Sequence, residues 1–251
     1  MIKFFRKIRY DLMENPTSTK VTAGAKTGKY LKYAIGEIIL VVIGILIALS
    51  INNWNEEKKS IRKGRDILID IRENVKTNTI QFQKDIDITK RVINSMDIIL
   101  KNIKVTKVYN DSLDKHFRRL TYWETSRWKS SGYKSIISQG VEIIQSKELR
   151  ESIIDLYEIS YPGIAEYTRL SENNNSILLP IWLEFLEREP SNFKFFEHTS
   201  KPFDYQEIVE SRMFRSMLTF LRSQRVADIQ LRNKAIEKNE ELIRLINKEL
   251  K

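Results

Sequence analysis

Apolar residues follow two patterns along this chain, first a continuous run and then a regular stripe. From Ala34 to Ile51, eighteen consecutive positions hold one charged residue, Glu37, and no proline. As a helix this run would measure about 27 Å, close to the roughly 30 Å of a bilayer's hydrocarbon core. The run therefore predicts a single transmembrane helix over residues 33–54. Its interface anchors, aromatic rings at the level of the headgroups, are Tyr30, Tyr33 and Trp54.

A cleaved signal peptide is the competing interpretation of the same run. Ala48-Leu49-Ser50 has the small-x-small form of a cleavage site. However, the run exceeds the usual signal core of about 7–15 residues. A further 32 residues precede Tyr33, more than a signal peptide places before its core. We therefore favour a retained anchor.

The second pattern is a seven-residue repeat of apolar positions from Ile61 to Ile103. It predicts a long amphipathic helix of about 65 Å that continues from the span without a helix breaker. A neighbouring inward position is interrupted by Gly64, Asn78 and Asp85. The stripe is wide, as in a helical bundle rather than a two-stranded coiled coil, and comprises Ile61, Leu68, Ile71, Val75, Phe82, Ile86, Thr89, Val92, Ile93, Met96, Ile99, Leu100 and Ile103.

The rest of the chain also favours helices, because its 251 residues include only 8 glycines and 5 prolines. Asn110 and Ser146 are typical N-cap residues, and the helix that follows Ser146 should end before Pro162. Between these two caps, residues 121–145 predict a helix that is interrupted near Gly132.

Further along, Pro180 should kink a helix or mark a join, and residues 190–202 read as a loop. Asp204 and Glu207 form a capping box that opens a last helix, predicted to run to Lys251. Pairing the first and last long helices antiparallel would bury both stripes, with the short middle helices covering the far end. The predicted fold class is all-α: one N-terminal transmembrane helix that continues into an elongated antiparallel helical bundle, residues 55–251.

The net charge of +10 is concentrated before the span. Residues 1–32 carry eight Lys or Arg against Asp11 and Glu14, so they predict a basic cytoplasmic tail. Because this tail accounts for the excess, the pI near 9.5 does not indicate nucleic-acid binding. Phe4, Phe5, Ile8 and Leu12 make the tail either a small amphipathic helix on the inner leaflet or a frayed basic end.

Orientation follows from the tail as a whole. The twenty residues before the span hold four cations and the twenty after it five, a count that does not favour a cytoplasmic N-terminus. The opposite orientation would export all eight tail cations, and no cation follows Ile51 until Lys58. We predict a single-pass protein whose N-terminus is cytoplasmic and whose C-terminal domain lies outside the cytoplasm.

The span carries a stripe suited to contact with another helix. Glu37, Val41, Gly44 and Ala48 are spaced by four, three and four residues and so share one helical face. Gly44 and Ala48 form a small-xxx-small pair, which allows close backbone approach, and a carboxylate in a membrane is a functional candidate. The alternative is that Glu37 snorkels to the nearby edge and the glycine is incidental.

An aromatic segment suggests a pocket. Tyr122, Trp123, Arg127, Trp128 and Tyr133 combine rings with polar groups, as pocket linings do. The alternative is that these rings fill the core between short helices.

Catalytic chemistry is not indicated by any motif in the chain. There is no cysteine, which excludes disulfides, lipid attachment through a thiol and thiolate metal sites. His116 and His198 stand 82 residues apart without a neighbouring histidine, so each reads as an ordinary surface or core residue. We predict no metal, no cofactor and no enzymatic activity.

Several motifs resemble a known bacterial family of single-span proteins whose role is unassigned. The matching segments are Phe4-Phe5-Arg6-Lys7-Ile8-Arg9 in the tail, Tyr33 to Glu56 across the span, Lys129-Ser130-Ser131-Gly132, Ser146 to Arg150 with Ile153 to Tyr157, and Leu242 to Leu250. The resemblance covers the whole chain and implies the same anchored helical fold. It implies no activity.

The function predicted from the sequence is a non-enzymatic, membrane-anchored helical interaction or scaffold module. Its partners would be the lipid bilayer and either another inner-membrane protein or a second copy bound through the span. The alternative is a sensor-like periplasmic module that binds a small ligand and signals through a partner protein, since the cytoplasmic tail is too short for an output domain.

Overall fold

The structure, a computed structural model, describes residues 23–122, 125, 127–189 and 199–251, with the main chain alone at 23–33, 188, 189 and 199. Its first helix, α1, runs from Ala23 to Lys104 and so includes both sequence patterns. The chain divides into two units, Met1–Lys59 and Ser60–Lys251. In the first unit, every described residue from Ala34 to Lys59 is exposed, and the part from Ala34 to Ile51 is apolar and long enough to cross a membrane.

The second unit, which we call the helical domain, is built almost entirely of helices. Two short 3₁₀ turns, at Asp111–Leu113 and Val141–Ile143, and one π-type turn, at Asp155–Ser160, connect some of these helices. The remaining elements are α2 (Asp114–Leu120), α3 (Ser131–Gln139), α4 (Lys147–Ile154), α5 (Tyr161–Phe185), β1 (Leu186–Glu189), β2 (Thr199–Pro202), α6 (Tyr205–Glu210) and α7 (Arg212–Glu249). The prediction of an all-α fold is confirmed.

Short polar side chains start these helices where the sequence predicts. Asn110 Oδ1 accepts a hydrogen bond from the Ser112 backbone N–H, and Ser146 Oγ accepts one from the Leu149 N–H. Asp204 caps α6 in the same way, but the predicted last helix is interrupted after Glu210. There Ser211 Oγ accepts from the Phe214 N–H and starts α7 as a new helix.

Three boundaries differ from the sequence prediction. The chain stays helical through Pro162, because this proline lies in the first turn of α5, where its missing N–H is not needed. Of the predicted loop 190–202, residues 190–198 lie outside the described residues. Residues 199–202 are not a loop but form β2, which pairs antiparallel with β1, Leu186 opposite Pro202. Of residues 121–145, α3 takes only Ser131–Gln139, and Gly132 lies at its start instead of interrupting it.

Three long helices form the centre of the helical domain. Helix α7 runs antiparallel to α1, because Arg65 Nη2 lies 2.6 Å from the Leu250 carbonyl oxygen, whereas Asp97 bonds to Arg222 far from that end. Helix α5 runs parallel to α1, with Tyr161 close to Asn78. The predicted antiparallel pairing is therefore confirmed, and the C-terminus lies beside Arg65.

Two apolar clusters fill the domain. The near cluster, at the Arg65 end of the domain, packs α3, α4, α5 and α7 against residues 67–82 of α1. The far cluster, at the opposite end, packs α2, α5, β1, α6 and α7 against residues 92–103. The short middle helices therefore do not all cover the far end: α2 does, but α3 and α4 pack at the end where α1 enters the domain. The predicted stripe is buried from Leu68 to Ile103, except that Ile93 and Leu100 are half-buried, while Ile61 is exposed.

Candidate functional site

The stripe in the span is accessible over its whole length. Glu37, Val41, Gly44 and Ala48 are all exposed on α1. A Cβ added at Gly44 would meet no atom within 4 Å, so nothing in the described chain covers this glycine. The arrangement leaves room for a second helix at the backbone. That such a helix binds there stays a prediction.

One of the three predicted interface anchors is described with its side chain. Trp54 is exposed, and the Lys58 Nζ lies 3.7 Å from the centre of its ring, a cation–π contact. An aromatic ring beside a cation suits the headgroup level, where both groups are favoured. Tyr30 and Tyr33 belong to α1, but their side chains lie outside the described residues.

The residues of the predicted pocket lie in two different places. Trp128 and Tyr133 join an aromatic cluster, in which Trp128 lies 5.5 Å from the Tyr161 ring and Tyr133 stacks on Tyr157 at 4.7 Å. Tyr122 instead offers its carbonyl oxygen to Arg225 Nη2, at 2.8 Å. Arg127 is exposed, and Trp123 lies outside the described residues.

Two hydroxyls of the aromatic cluster are hydrogen-bonded, whereas the Tyr157 hydroxyl is buried and has no hydrogen-bond partner among the described residues. Tyr133 Oη donates to Glu158 Oε1 at 2.5 Å, and burial together with this carboxylate raises the pKa of Tyr133 to about 12. Tyr161 Oη donates to Asn239 Oδ1 at 2.8 Å. Both hydroxyls are thus held as donors inside the domain, which suits packing better than exchange with solvent.

Two asparagines of α1 bind the turn that precedes α3. Asn78 holds the main chain of Lys129 at both groups, accepting from its N–H at 2.7 Å and donating to its carbonyl at 3.0 Å. Asn74 Oδ1 accepts from the Gly132 N–H at 3.2 Å and so caps α3 from another helix. A Cβ at Gly132 would lie 2.7 Å from the Ile71 nitrogen, so the close approach requires glycine.

Between the two apolar clusters the domain is filled by polar side chains, which we call the polar belt. At its centre Arg232 is 1% exposed and bonds through Nη1 to Asp85 and through Nε to Asp228, both at 2.9 Å. Two arginines and two aspartates balance each other in charge. The belt comprises Asp85 and Thr89 of α1, Thr168, Ser171 and Asn175 of α5, and Arg225, Asp228 and Arg232 of α7.

Part of the belt is not paired within the described residues. The Asn175 amide oxygen and nitrogen, and Arg225 Nε, are buried and make no hydrogen bond there. Burial lowers the pKa of Arg225, an effect that nearby Asp228 opposes. Buried polar groups are nearly always hydrogen-bonded in folded proteins, so this level of the belt carries an energetic cost.

Of the two histidines, the structure describes only His116. His116 is buried with Nδ1 3.1 Å from Ser95 Oγ. Because Ser95 donates its own proton to the Arg91 carbonyl, His116 acts as the donor from Nδ1. His198 lies outside the described residues. Among the described residues, no group of three or more His, Asp or Glu could hold a metal ion.

Sequence reasoning missed the belt and the asparagine clamps, although a signal was present. Asn78 and Asp85 stand seven residues apart, at the heptad position that Ile71, Val92 and Ile99 also occupy. Polar residues at such positions mark a buried network that fixes the register between helices. Their partners could not be read from the sequence, since Lys129 and Arg232 lie 51 and 147 residues away.

Comparison with known proteins gives one match. A family model described as "Family of unknown function (DUF6090)" matches residues 37–223, from within the span to the first third of α7. No curated protein matches the chain. No solved structure matches it either.

Proposed function

The chain belongs to the DUF6090 family of unknown function, and we propose that it is a non-enzymatic interaction or scaffold module, anchored in a bacterial inner membrane by α1. One observation carries the proposal: the stretch from Ala34 to Ile51 is apolar and exposed on every face. Such a surface is stable only in lipid or against other apolar helices. The bilayer and a protein bound beside the span are the partners that fit it.

A scaffold role also fits the use of polar side chains in the helical domain. Asn74, Asn78 and Arg232 are engaged in contacts between helices. Catalytic groups need access to a substrate, whereas these groups are buried and hold elements together. They support a domain whose task is to present a fixed surface.

We propose that the domain lies in the periplasm. The basic tail and the uncharged start after Ile51, Asn52-Asn53-Trp54-Asn55, support this orientation. A reporter enzyme that is active only in the periplasm, fused after Lys251, should be active. Activity of a cytoplasm-only reporter at the same position would exclude the periplasmic location.

The experiment for the span compares three variants of the full chain in membranes. Gly44→Leu should reduce crosslinking or co-purification within the membrane, because the larger side chain separates the backbones. Glu37→Gln should reduce it too, since the carboxylate can no longer pair with a partner's cation. Val42→Leu, on another face, is the matched control. Parental behaviour of all three would mean that the span is an anchor only.

A sensor that binds a small ligand is the second candidate, and Asn175 is the observation that favours it. Its amide is 5% exposed and has no hydrogen-bond partner among the described residues, as expected of a group that meets a ligand. Asn175→Leu separates the two functions. A scaffold should become more stable on this change and keep its partners, whereas a sensor should lose its response.

A further inference from the structure

Helix α5 is held to the rest of the domain mainly by its two ends. Tyr161 and Ile164 are buried in the near cluster, and Trp182 and Phe185 are buried in the far cluster. Between Ile164 and Trp182, a stretch that the structure describes in full, no apolar residue is fully buried. The side chains that are buried in this stretch are polar, namely Thr168, Ser171 and Asn175. The middle of α5 therefore lacks the apolar burial that fixes a helix to its neighbours.

The apolar residues of this stretch add little packing. Ile177 is 73% exposed, and Leu178 and Ile181 contact the far cluster but are only half-buried. Helix α1 differs where it crosses the polar belt, because it keeps Ile86 and Val92 buried there. Of these two helices, α5 is therefore the one that the core holds less firmly at the belt.

The sequence of the same stretch forms a weak helix. Residues 173–176 read Asn-Asn-Asn-Ser, and side chains of these types compete with the main chain for hydrogen bonds. Pro180 follows in the interior of α5. A proline has no N–H to donate to the carbonyl four residues earlier, here that of Ser176. This part of α5 is therefore helical because of its surroundings more than because of its own propensity.

The buried amide of Asn175 also disfavours the closed helix. Asn175 is 5% exposed, and neither its oxygen nor its nitrogen has a hydrogen-bond partner among the described residues. Both atoms would be hydrogen-bonded in water, so opening of the helix at this point recovers bonds that the closed state lacks. On α7, by contrast, Arg232 and Asp228 of the belt are paired with each other.

We propose that residues 171–180, which we call the belt segment of α5, open and close as one unit while the rest of the domain stays folded. Opening unwinds the belt segment between its two apolar anchors, and it brings water to the Asn175 amide. Helices α1 and α7 remain joined by Arg232 and Asp85, which bond at 2.9 Å. Local opening of this kind is expected where buried apolar contacts are few.

The opening makes the polar belt accessible from one side of the domain. In the closed state the belt is buried, whereas in the open state small soluble molecules reach its polar side chains. This inference goes beyond the proposed function and does not depend on it, because the opening is a property of the helical domain alone.

Hydrogen exchange of the full chain in detergent, followed by mass spectrometry of its peptides, tests the opening. Amides of the belt segment should exchange about a hundredfold or more faster than those of residues 89–96 in α1 and 218–228 in α7. Low denaturant concentrations should leave the exchange of the belt segment unchanged, because a local opening exposes little surface, and should accelerate exchange in the other two stretches. Equal exchange rates, or one denaturant dependence for all three stretches, would overturn the proposal.

Two variants of α5 test the role of the buried amide. Asn175→Leu removes the unpaired groups and should slow exchange of the belt segment about tenfold or more. Asn173→Leu makes the same substitution at an exposed position, so it should slow exchange only about twofold, through helix propensity. Equal slowing by the two variants would show that the role assigned to Asn175 is wrong.

A thiol introduced into the chain, which has no cysteine of its own, gives a second measurement. Ser171→Cys and Ser95→Cys place a thiol at two buried serines, the first in the belt segment and the second in α1. A water-soluble maleimide should label Ser171→Cys about tenfold or more faster than Ser95→Cys under native conditions. Adding Asn175→Leu should slow the labelling of Ser171→Cys. Equal labelling of the two thiols would exclude access through α5.

Discussion

Two stretches of α1 use the same residue types in opposite ways. Between Ala34 and Ile51 the helix is apolar on all sides, and its two glycines and its one carboxylate are exposed. Between Gly64 and Ile103 it is apolar along one stripe, and the polar residues in that stripe are among its most buried. The comparison teaches that a residue's role follows from what surrounds it. Gly44 has no neighbouring atom where a side chain would lie, whereas Gly64 is packed closely against the Ile143 carbonyl.

The carboxylates make the same contrast. Glu37 is exposed in a stretch that would meet lipid, whereas Asp85 is 1% exposed and bonded to Arg232. A buried ion pair compensates two desolvation penalties, so the loss of one partner leaves the other charge without compensation. The first carboxylate can therefore matter for association and the second for folding.

The largest effect is expected from breaking the ion pair of the polar belt. Arg232→Ala should lower the free energy of unfolding by about 3–5 kcal/mol, because Asp85 and Asp228 would stay buried without their cation. Arg222→Ala is the matched control. Arg222 also joins α7 to an aspartate of α1, but its side chain is 38% exposed, so about 0–1 kcal/mol is expected.

Chemical denaturation of the purified full chain in detergent, followed by the loss of helical circular dichroism, measures both variants. The helix of the span should persist and give a constant background. Equal losses of unfolding free energy for Arg232→Ala and Arg222→Ala would show that the ion pair in the belt stabilises the domain no more than an exposed ion pair does.

Much of the fold could be predicted from the sequence, because local physical rules determine it. The stripe from Leu68 to Ile103 follows from burial of one helical face, and Asn110, Ser146 and Asp204 act as caps because their side chains satisfy nearby N–H groups. Local rules of this kind need no partner elsewhere in the chain.

What the sequence did not show depends on distant partners. Asn74 serves as the cap of α3, 58 residues away, in place of the adjacent Ser130, whose side chain makes no capping bond. The break at Ser211 and the pairing of β1 with β2 also depend on tertiary packing that local propensity does not contain.

The second prediction compares two glycines of α1, Gly64 and Gly44, by the same substitution. A Cβ at Gly64 would lie 2.7 Å from the Ile143 carbonyl oxygen, so Gly64→Ala must shift the turn that precedes α4. We expect it to destabilise the domain by about 1–3 kcal/mol, the usual cost of overpacking.

Gly44→Ala is the matched change in the span, since a Cβ there meets nothing within 4 Å. The same denaturation experiment should give the parental midpoint for this variant. If Gly64→Ala were also neutral, the turn before α4 would be able to shift without a loss of stability. The two stretches of α1 would then differ in their carboxylates but not in their glycines.

The smallest effect concerns His116, which α2 packs against Ser95 in the buried stripe of α1. Burial, helped by Lys115 and Arg119, lowers the pKa of His116 below its ordinary value of 6.5. The unfolded chain therefore takes up a proton more readily than the folded chain. This contribution to stability is complete above about pH 6.5 and is lost as the pH falls through the lower folded value. The midpoint of denaturation should drop modestly between about pH 7 and pH 5, before most carboxylates titrate.

His116→Gln keeps a side chain that can donate to Ser95 but cannot be protonated in this range, so it should flatten the slope of the midpoint against pH. A slope that remains unchanged in His116→Gln would assign the pH dependence to another group.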